Sequence, residues 1–288
     1  MNNSFQPGKT YTITYSSKLK DKWGQELGQD YVFSFTEPDA DPSLSLGTYL
    51  PVLFTRPEDP TISVQAVNLN SINVSHGSMS LDDFLRTEAD YNYRQTFIPA
   101  DLQTKTVNPG LARNDNQPMA ITLSDSPLAT GFYYTNVDSP ELQNRQNNQH
   151  TLVVSNLNVT LKASPSEVLL WAMDLRTQSP AKNIALALYD NKGGKVASGS
   201  TDEKGLWRGQ LPEGVDNGDL YAILGQPGDD LFGVANSGWS QGLSSWDFGL
   251  RSDNSGPRPE VYVYTERPVY RPGDIIHYRG IVKNWYDG

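Results

Sequence analysis

Apolar and polar residues alternate one by one along much of this chain, and this period of two is typical of half-buried β-strands. In KTYTITYSSKL, Tyr11, Ile13 and Tyr15 share one face and threonines occupy the other. YVFSFTE (31–37) repeats the pattern, and TISVQAVNLNSINVS (61–75) continues it. Since such strands bury one face, each needs a second sheet to cover it. The inner face predicted over 61–75 consists of Ile62, Val64, Ala66, Ile72 and Val74.

Further candidate strands follow, separated by turns. TLVVSNLNVTLKA (151–163) is one, and EVLLWAMDL (167–175) is apolar enough to predict a strand buried on both faces. NIALALYDNKGGKVASGSTDEKGLWRGQL (183–211) predicts three strands joined by an Asn/Gly turn and an Asp/Gly turn. DLYAILGQ (219–226) and VYVYTERP (261–268) predict two more. Many short strands with frequent turns favour β-sandwiches over an α/β sheet.

One segment has a helical period instead. In SMSLDDFLRTEADY (78–91), Ser80 is suited to cap a helix, and Asp82 and Asp83 lie in the first turn, where negative charge is favourable. The next stretch, 90–128, has little periodicity and predicts a long loop. The predicted apolar face of the helix carries Leu81, Phe84 and Leu85.

The predicted fold class is therefore all-β, with tandem immunoglobulin-like β-sandwich domains and one short helix in the second. Polar segments rich in proline, glycine or amides predict boundaries at 37–47, 136–150 and 251–260. The two central pieces have the length of one sandwich each. The two terminal pieces hold too few strands to bury a core, so we expect them to pack on each other or on neighbouring domains of a longer chain. The predicted pieces are 1–37, 38–150 with its loop 90–128, 151–252 and 256–288.

Composition excludes several functions. The chain has 33 acidic and 23 basic residues, and this net charge of −10 repels phosphate backbones, so nucleic acid is not an expected partner. It contains no cysteine, which excludes disulfides, thiol nucleophiles and a cysteine thioester within these residues. There is no apolar run of about 18 residues to predict a membrane-spanning helix. The first ten residues lack the pattern of a signal peptide, so any signal is expected upstream.

Residue types that commonly bind metals or catalyse reactions are scattered along the sequence. The histidines are His76, His150 and His277; no two have metal-ligand spacing, and the sequence has no H-E-x-x-H. EPDADPS (37–43) lacks the spaced ligands of a calcium loop. The stretch ATGFYYTN contains no G-x-S-x-G elbow, and LYDNKGGK and GQPGDDLFG are predicted to be hairpin turns rather than phosphate loops. We therefore predict no catalytic, cofactor-binding or metal-binding residue, no cofactor and no enzyme.

Two tryptophans leave an alternative open. Trp239 and Trp246 lie in NSGWSQGLSSWDFGL and are predicted to pack across a domain junction. The alternative is a platform for a sugar ring, as in a carbohydrate-binding accessory module of a hydrolase.

The most specific motif is YVYTERPVYRPGDIIHYRGIVKNW (262–285). Its Pro272-Gly273 pair suits a type II turn, because glycine accepts the positive φ at the third turn position. Pro268 and Pro272 have no N–H to donate to a ladder, so they mark a strand edge or bend. Arg267 and Arg271 are predicted to stack on tyrosines or to pair with Glu266 or Asp274. These features predict a motif that builds a domain rather than one that catalyses.

This motif resembles the start of the macroglobulin domain of the alpha-2-macroglobulin family, especially its bacterial members, where strand, T-[DE]-R-P-x-Y-R-P-G and strand follow one another. Residues 152–211 resemble the macroglobulin domain that precedes it, with W-x-x-D-L-x-T-x-x-P and T-D-x-x-G patterns. Residues 1–36 resemble the closing half of a bacterial immunoglobulin-like domain. The matching residues of the motif are Thr265, Glu266, Arg267, Pro268, Tyr270, Arg271, Pro272 and Gly273.

The resemblance implies the nature of each piece. It makes 1–37 the C-terminal part of an immunoglobulin-like domain, 38–150 and 151–252 macroglobulin-like β-sandwiches, and 256–288 the first strands of a further macroglobulin domain. It also implies that the chain is an N-terminal scaffold fragment of a bacterial alpha-2-macroglobulin-like, broad-spectrum endopeptidase inhibitor. In that family a protease cuts a bait segment and is then enclosed, and many members tether it with a Cys–Gln thioester.

The implied partners are endopeptidases, met through the full-length parent, and other domains of the same chain. The implied location is the periplasm or cell envelope, with a lipid anchor to the inner membrane outside this piece. The rival interpretation is an adhesin or invasin-like surface protein of tandem immunoglobulin-like repeats, which residues 1–36 alone would fit equally well. The T-E-R-P-V-Y-R-P-G motif favours the inhibitor family.

Overall fold

Nearly all regular structure in this protein is β-strand. Contacts divide the chain into two compact units, Met1–Ser155 and Asn156–Gly288. The all-β prediction is confirmed, with one correction: the described residues contain two short helices rather than one. The computed structural model describes residues 5–46, 52–143, 148–239 and 258–285.

The first unit contains a hairpin and a two-sheet sandwich. β1 and β2 form the hairpin. One sheet has the strand order β4-β10-β9-β6-β7 and the other β3-β5-β8, and β4 and β10 run parallel whereas the other paired strands of the unit run antiparallel. The elements are β1 Thr10–Tyr15, β2 Tyr31–Thr36, β3 Ser43–Leu46, β4 Val52–Thr55, β5 Thr61–Val67, β6 Ile72–Met79, α1 Leu81–Ala89, α2 Tyr91–Thr96, β7 Gln103–Val107, β8 Pro118–Thr122, β9 Gly131–Asp138 and β10 Gln149–Val154.

The alternation in the sequence sets the core of this sandwich. The predicted inner-face residues of 61–75 are all buried, and they belong to one cluster that includes Leu152 and Ile121 from other strands. The segment forms two strands rather than one, because Asn68 takes a positive φ of 52° and turns the chain.

Helix α1 forms as predicted. Ser80 caps it and accepts a hydrogen bond from the N–H of Asp83 at 3.0 Å, while the Asp83 carboxylate reaches back to Ser80, which completes a capping box. Phe84 is fully buried and stacks on Phe132 of β9, with ring centroids 4.2 Å apart. The helix is thereby fixed to the outer side of the five-stranded sheet.

The prediction of a long loop over 90–128 is wrong. Asp90 caps α2 by accepting hydrogen bonds from the N–H groups of Asn92 and Tyr93. The segment then supplies two edge strands, β7 on β6 and β8 on β5. β7 is largely exposed, and β8 buries only Ile121 and part of Met119. Their short sequences QTKTV and PMAIT therefore carry little of the alternation that reveals a half-buried strand.

The second unit contains another two-sheet sandwich and a second hairpin. One sheet has the order β11-β12-β13, with β16 also paired to β12, and the other has β15-β14-β17-β18. β19 and β20 form the hairpin. The elements are β11 Leu157–Ala163, β12 Glu167–Asp174, β13 Ser179–Pro180, β14 Ala185–Tyr189, β15 Lys195–Ser200, β16 Leu206–Gln210, β17 Tyr221–Leu224, β18 Gly233–Asn236, β19 Arg258–Thr265 and β20 Tyr278–Trp285.

β12 is buried on one face only, which corrects the prediction of a strand buried on both. Val168, Leu170 and Ala172 are buried in the core of this sandwich. Between them Trp171 points outward and is 44% exposed. The apolar residues of the outer face misled the prediction, since composition does not show whether a second layer covers that face.

Three turns share one hydrogen-bonding pattern of the form D-x-x-G-x. In each, the aspartate Oδ1 accepts hydrogen bonds of 2.7–2.9 Å from the N–H groups two and four residues on. The aspartate N–H donates to the carbonyl four residues on. The glycine three residues on takes a φ of 73–90°, which a side chain would strain. The turns begin at Asp21, Asp190 and Asp202.

Candidate functional site

The hairpin β19–β20 displays apolar side chains on both of its faces. Directly paired residues share a face, so Val261 and Val263 lie with Val282 and Tyr278 on one side. Val261, Val263 and Val282 are 60%, 63% and 66% exposed. The other side carries Tyr262, Tyr264 and Ile281 together with the charged residues Glu260, Arg279 and Lys283. The first side is therefore the more suitable one for packing against another apolar layer.

The Pro272-Gly273 turn forms as predicted. The Asp274 N–H donates to the Arg271 carbonyl at 3.0 Å, and Gly273 has a φ of 91°. The Asp274 carboxylate also accepts a hydrogen bond from the Arg271 N–H. The backbone and the side chain of Asp274 thus both bind Arg271 across the turn.

Arg267 fastens the motif around this turn, as the sequence predicted. Its guanidinium lies 5.0 Å from the centre of the Tyr270 ring and 3.6 Å from the carboxylates of both Glu266 and Asp274. The Arg267 N–H donates to the Tyr270 hydroxyl, and the Thr265 hydroxyl donates to the Arg267 carbonyl. These contacts hold the segment that precedes the turn.

Glu266 connects the segment before the turn to the one after it. Its carboxylate accepts a hydrogen bond from the His277 N–H at 2.9 Å, and its own N–H donates to the His277 carbonyl at 3.3 Å. Desolvation raises the pKa of Glu266, but hydrogen bonds from its own N–H, from Tyr270 and from His277 outweigh this effect and hold the pKa below its ordinary value. The network stabilises a shape, which is the role expected for this motif.

Two apolar residues beside the turn were not singled out from the sequence. Val269 and Ile275 are 77% and 74% exposed, and each lies within three residues of Pro272-Gly273. The sequence signal for them was the position of large apolar residues close to a tight turn. They extend the apolar surface of the hairpin to its tip.

The hairpin β1–β2 of the first unit shows a related asymmetry. One face carries the aromatic side chains of Tyr11, Tyr15, Tyr31, Phe33 and Phe35, with neighbouring ring centroids 5.8–6.4 Å apart. The opposite face is a ladder of hydroxyls, such as the Thr12–Ser34 pair at 2.7 Å. Phe33 is 36% exposed and Tyr31 is 58% exposed, so this apolar face is also only partly covered.

Of the other candidate residues, His277 immediately precedes β20. His76 lies on β6 and His150 on β10. Within the described ranges, no three His, Asp or Glu side chains are grouped to hold a metal ion. Asp39 of the acidic segment binds Arg113 and Asn114 instead. Trp239 packs edge-on against Tyr221 at 6.0 Å, and Trp246 lies outside the described residues.

Comparison with known proteins identifies the second sandwich. Residues 154–255 match the family model described as the bacterial alpha-2-macroglobulin MG3 domain. A curated alpha-2-macroglobulin homolog from Nostoc is 21% identical over 99% of this chain. The chain spans only 16% of the length of that relative.

Solved structures show the same fold. A crystal structure of native Escherichia coli alpha-2-macroglobulin spanning domains MG0-NIE-MG1 matches with a TM-score of 0.59 at 16% identity, over 81% of this chain and 76% of that one. A Salmonella alpha-2-macroglobulin structure matches with a TM-score of 0.56 at 15% identity, over 98% of this chain and 17% of that one.

The folds and the motif define a protein built from tandem macroglobulin-like β-sandwiches. The match of residues 154–255 to the MG3 family model and the curated relative support the bacterial alpha-2-macroglobulin family, as the motif predicted. Among the described residues, no helix is long and apolar enough to cross a membrane.

Proposed function

We propose that this chain is a scaffold segment of a bacterial alpha-2-macroglobulin-like inhibitor, which encloses endopeptidases after they cut a bait elsewhere in the parent protein. The observation that carries the proposal is the hairpin β19–β20. Its turn is locked by Arg267 and Glu266, yet valines on one of its faces are about two-thirds exposed. A rigid hairpin with an uncovered apolar face is suited to pack against a further β-sheet.

The proposed role is mechanical rather than catalytic. The segment would hold neighbouring domains of the parent in position, and by itself it would not inhibit a protease. The partners would be endopeptidases, reached through the parent, and other domains of the same chain. The proposed location is the periplasm or cell envelope, with any membrane attachment through a lipid anchor outside these residues. The adhesin interpretation is not favoured, because the family match covers the second sandwich.

The test begins with the gene on both sides of this stretch, followed by an assay of the complete product. We expect the product to slow the cleavage of a large protein substrate by trypsin but not of a small chromogenic peptide, since an enclosed protease is shielded only from large molecules. Val263→Lys should abolish this difference, whereas Lys283→Val, on the opposite face, should retain it. Equal rates with and without the complete product would reject the proposal.

A further inference from the structure

Two of the three histidines lie on a single rung of the five-stranded sheet. Thr135 on β9 pairs directly with His150 on β10 and, on its other side, with His76 on β6. Residues directly opposite one another in antiparallel strands project from the same face. The three side chains therefore stand in one row, and the strand spacing places the two histidines roughly 10 Å apart.

This row lies on the inner face of the first sandwich. Val74, Val137 and Leu152 lie two residues from His76, Thr135 and His150 and belong to the buried core. His76 is only 7% exposed, and Thr135 is fully buried and donates its hydroxyl hydrogen to the Ser75 carbonyl. The sheet opposite contributes apolar side chains to this core, namely Leu44, Leu46, Ile62, Val64, Ala66 and Ile121.

The charged side chains near the row do not compensate for the positive charges that His76 and His150 would carry if both were protonated. Burial is the main influence that lowers the pKa of His76, Lys105 on β7 adds to it, and only Asp101 opposes it. Burial also lowers the pKa of His150; the Asn148 carbonyl, 3.3 Å from Nδ1, opposes this and Arg94 on α2 adds to it. Arg94 is itself paired with Glu88. Tyr133 is the other titratable side chain on this face of β9.

We infer that the row His76–Thr135–His150 is an acid-sensitive lock within the first sandwich. With both imidazoles neutral, β6, β9 and β10 close over the core. Protonation of either imidazole puts a positive charge on the inner face, where burial disfavours it, and protonation of both adds repulsion along the row. Mild acid should therefore open this sandwich and leave the second unit closed.

The direction of the pH effect follows from the linkage between proton binding and opening of the sandwich. A histidine whose pKa is lower in the folded state binds its proton more readily in the open state, so closure is weakened as protons are added. The full stability is present above the open-state pKa of about 6.5 and is lost as the pH falls below it. His150 is partly buried. Between pH 7.5 and pH 5.5 each of the two histidines can change the opening equilibrium by at most about tenfold, so the pair can change it by at most about a hundredfold. The carboxylates of the chain stay ionised over most of this range.

The experiment is hydrogen–deuterium exchange of the whole chain at pH 7.5 and 5.5, resolved by peptide and corrected for the intrinsic pH dependence of exchange. Amides of β6, β9 and β10 should lose protection at pH 5.5 by several-fold to a hundredfold. Amides of β14 and β17 in the second unit provide the internal reference. His76→Gln/His150→Gln should remove the pH dependence of the first unit, whatever its effect at pH 7.5. His277→Gln, at an exposed histidine, is the matched control and should retain it.

The measured quantity is the ratio of amide protection at the two pH values within each variant. A general loss of stability affects both pH values and therefore does not change this ratio. Equal loss of protection in both units, or a loss that persists in the double variant, would overturn the inference. If His76→Gln alone or His150→Gln alone removed the loss of protection at pH 5.5, a single histidine would account for it. That result would also contradict the two-histidine lock. The outcome does not depend on whether the parent encloses a protease.

Discussion

Asn68 and Asn114 lie 46 residues apart in the chain and hold each other in a left-handed conformation. Their φ angles are 52° and 61°. The Asn114 N–H donates to Asn68 Oδ1 at 2.7 Å, and Asn68 Nδ2 donates to Asn114 Oδ1 at 3.0 Å. Both side chains also bind the backbone of Ala40. The pair thus joins the β5–β6 turn, the segment before β8 and the chain that enters β3.

Asn114→Ala should destabilise the first sandwich by about 2 kcal/mol or more, because it removes three side-chain hydrogen bonds and strains a positive φ. Asn114→Gly loses the same bonds without the strain, and we expect it to be about 1 kcal/mol more stable than the alanine variant. Urea unfolding followed by far-ultraviolet circular dichroism measures both. Equal stability of the two variants would show that the backbone conformation is not conserved on substitution.

Gly199→Ala should destabilise the second sandwich. A Cβ at this position would lie 2.1 Å from Nε1 of Trp207, so the ring would have to move, and overpacking of this kind costs about 1–3 kcal/mol. Gly280→Ala is the matched control on a strand, since a Cβ there meets no atom within 4 Å. The urea midpoint of the second unit in the two variants, followed by circular dichroism, measures the effect. A neutral Gly199→Ala would mean that the ring has another position available.

Asp202→Ala should lower the melting temperature of the second unit, because the N–H groups of Lys204 and Leu206 lose their acceptor. Glu203→Ala next to it should have little effect, since that side chain makes only a surface ion pair with Lys182. Hydrogen bonds from Leu206 and Lys204 lower the pKa of Asp202.

The same pKa shift predicts how this effect changes with pH. The stabilisation by Asp202 is complete above the unfolded pKa of about 4 and is lost as the pH falls through the lower folded value. The melting temperatures of the wild type and Asp202→Ala should therefore converge in acid. A difference that stays constant down to pH 2 would argue against the charge-assisted turn.

Ser80→Ala should release the start of α1 at a cost of about 1 kcal/mol, because the N–H of Asp83 loses its partner. Ser80→Thr keeps a hydroxyl and should retain most of the stability. Hydrogen exchange of peptides that cover 81–89 tests both. Unchanged protection in the alanine variant would mean that the burial of Phe84 alone holds the helix.

Local signals in the sequence predicted most of this fold, but features that depend on contacts between distant residues were not predicted. The alternation around Val64, the cap at Ser80 and the glycine of the Pro272-Gly273 turn act within a few residues, so their patterns are visible in the chain. The strands within 90–128 are edge strands whose pairing partners lie far away in sequence, and the Asn68–Asn114 pair depends on two turns meeting in space. Likewise, nothing in the sequence around His76 and His150 indicates that Thr135 would place them on one row.

The parallel pairing of β4 with β10 has a consequence for how the protein is made. β4 ends at Thr55, whereas its partner strand is completed only at Val154. During synthesis, roughly a hundred residues must emerge from the ribosome before β4 has a partner, so the first sandwich cannot close while its middle is being translated. Until then β4 is a strand without its partner, and this is the interval in which we expect the nascent chain to be most dependent on chaperones.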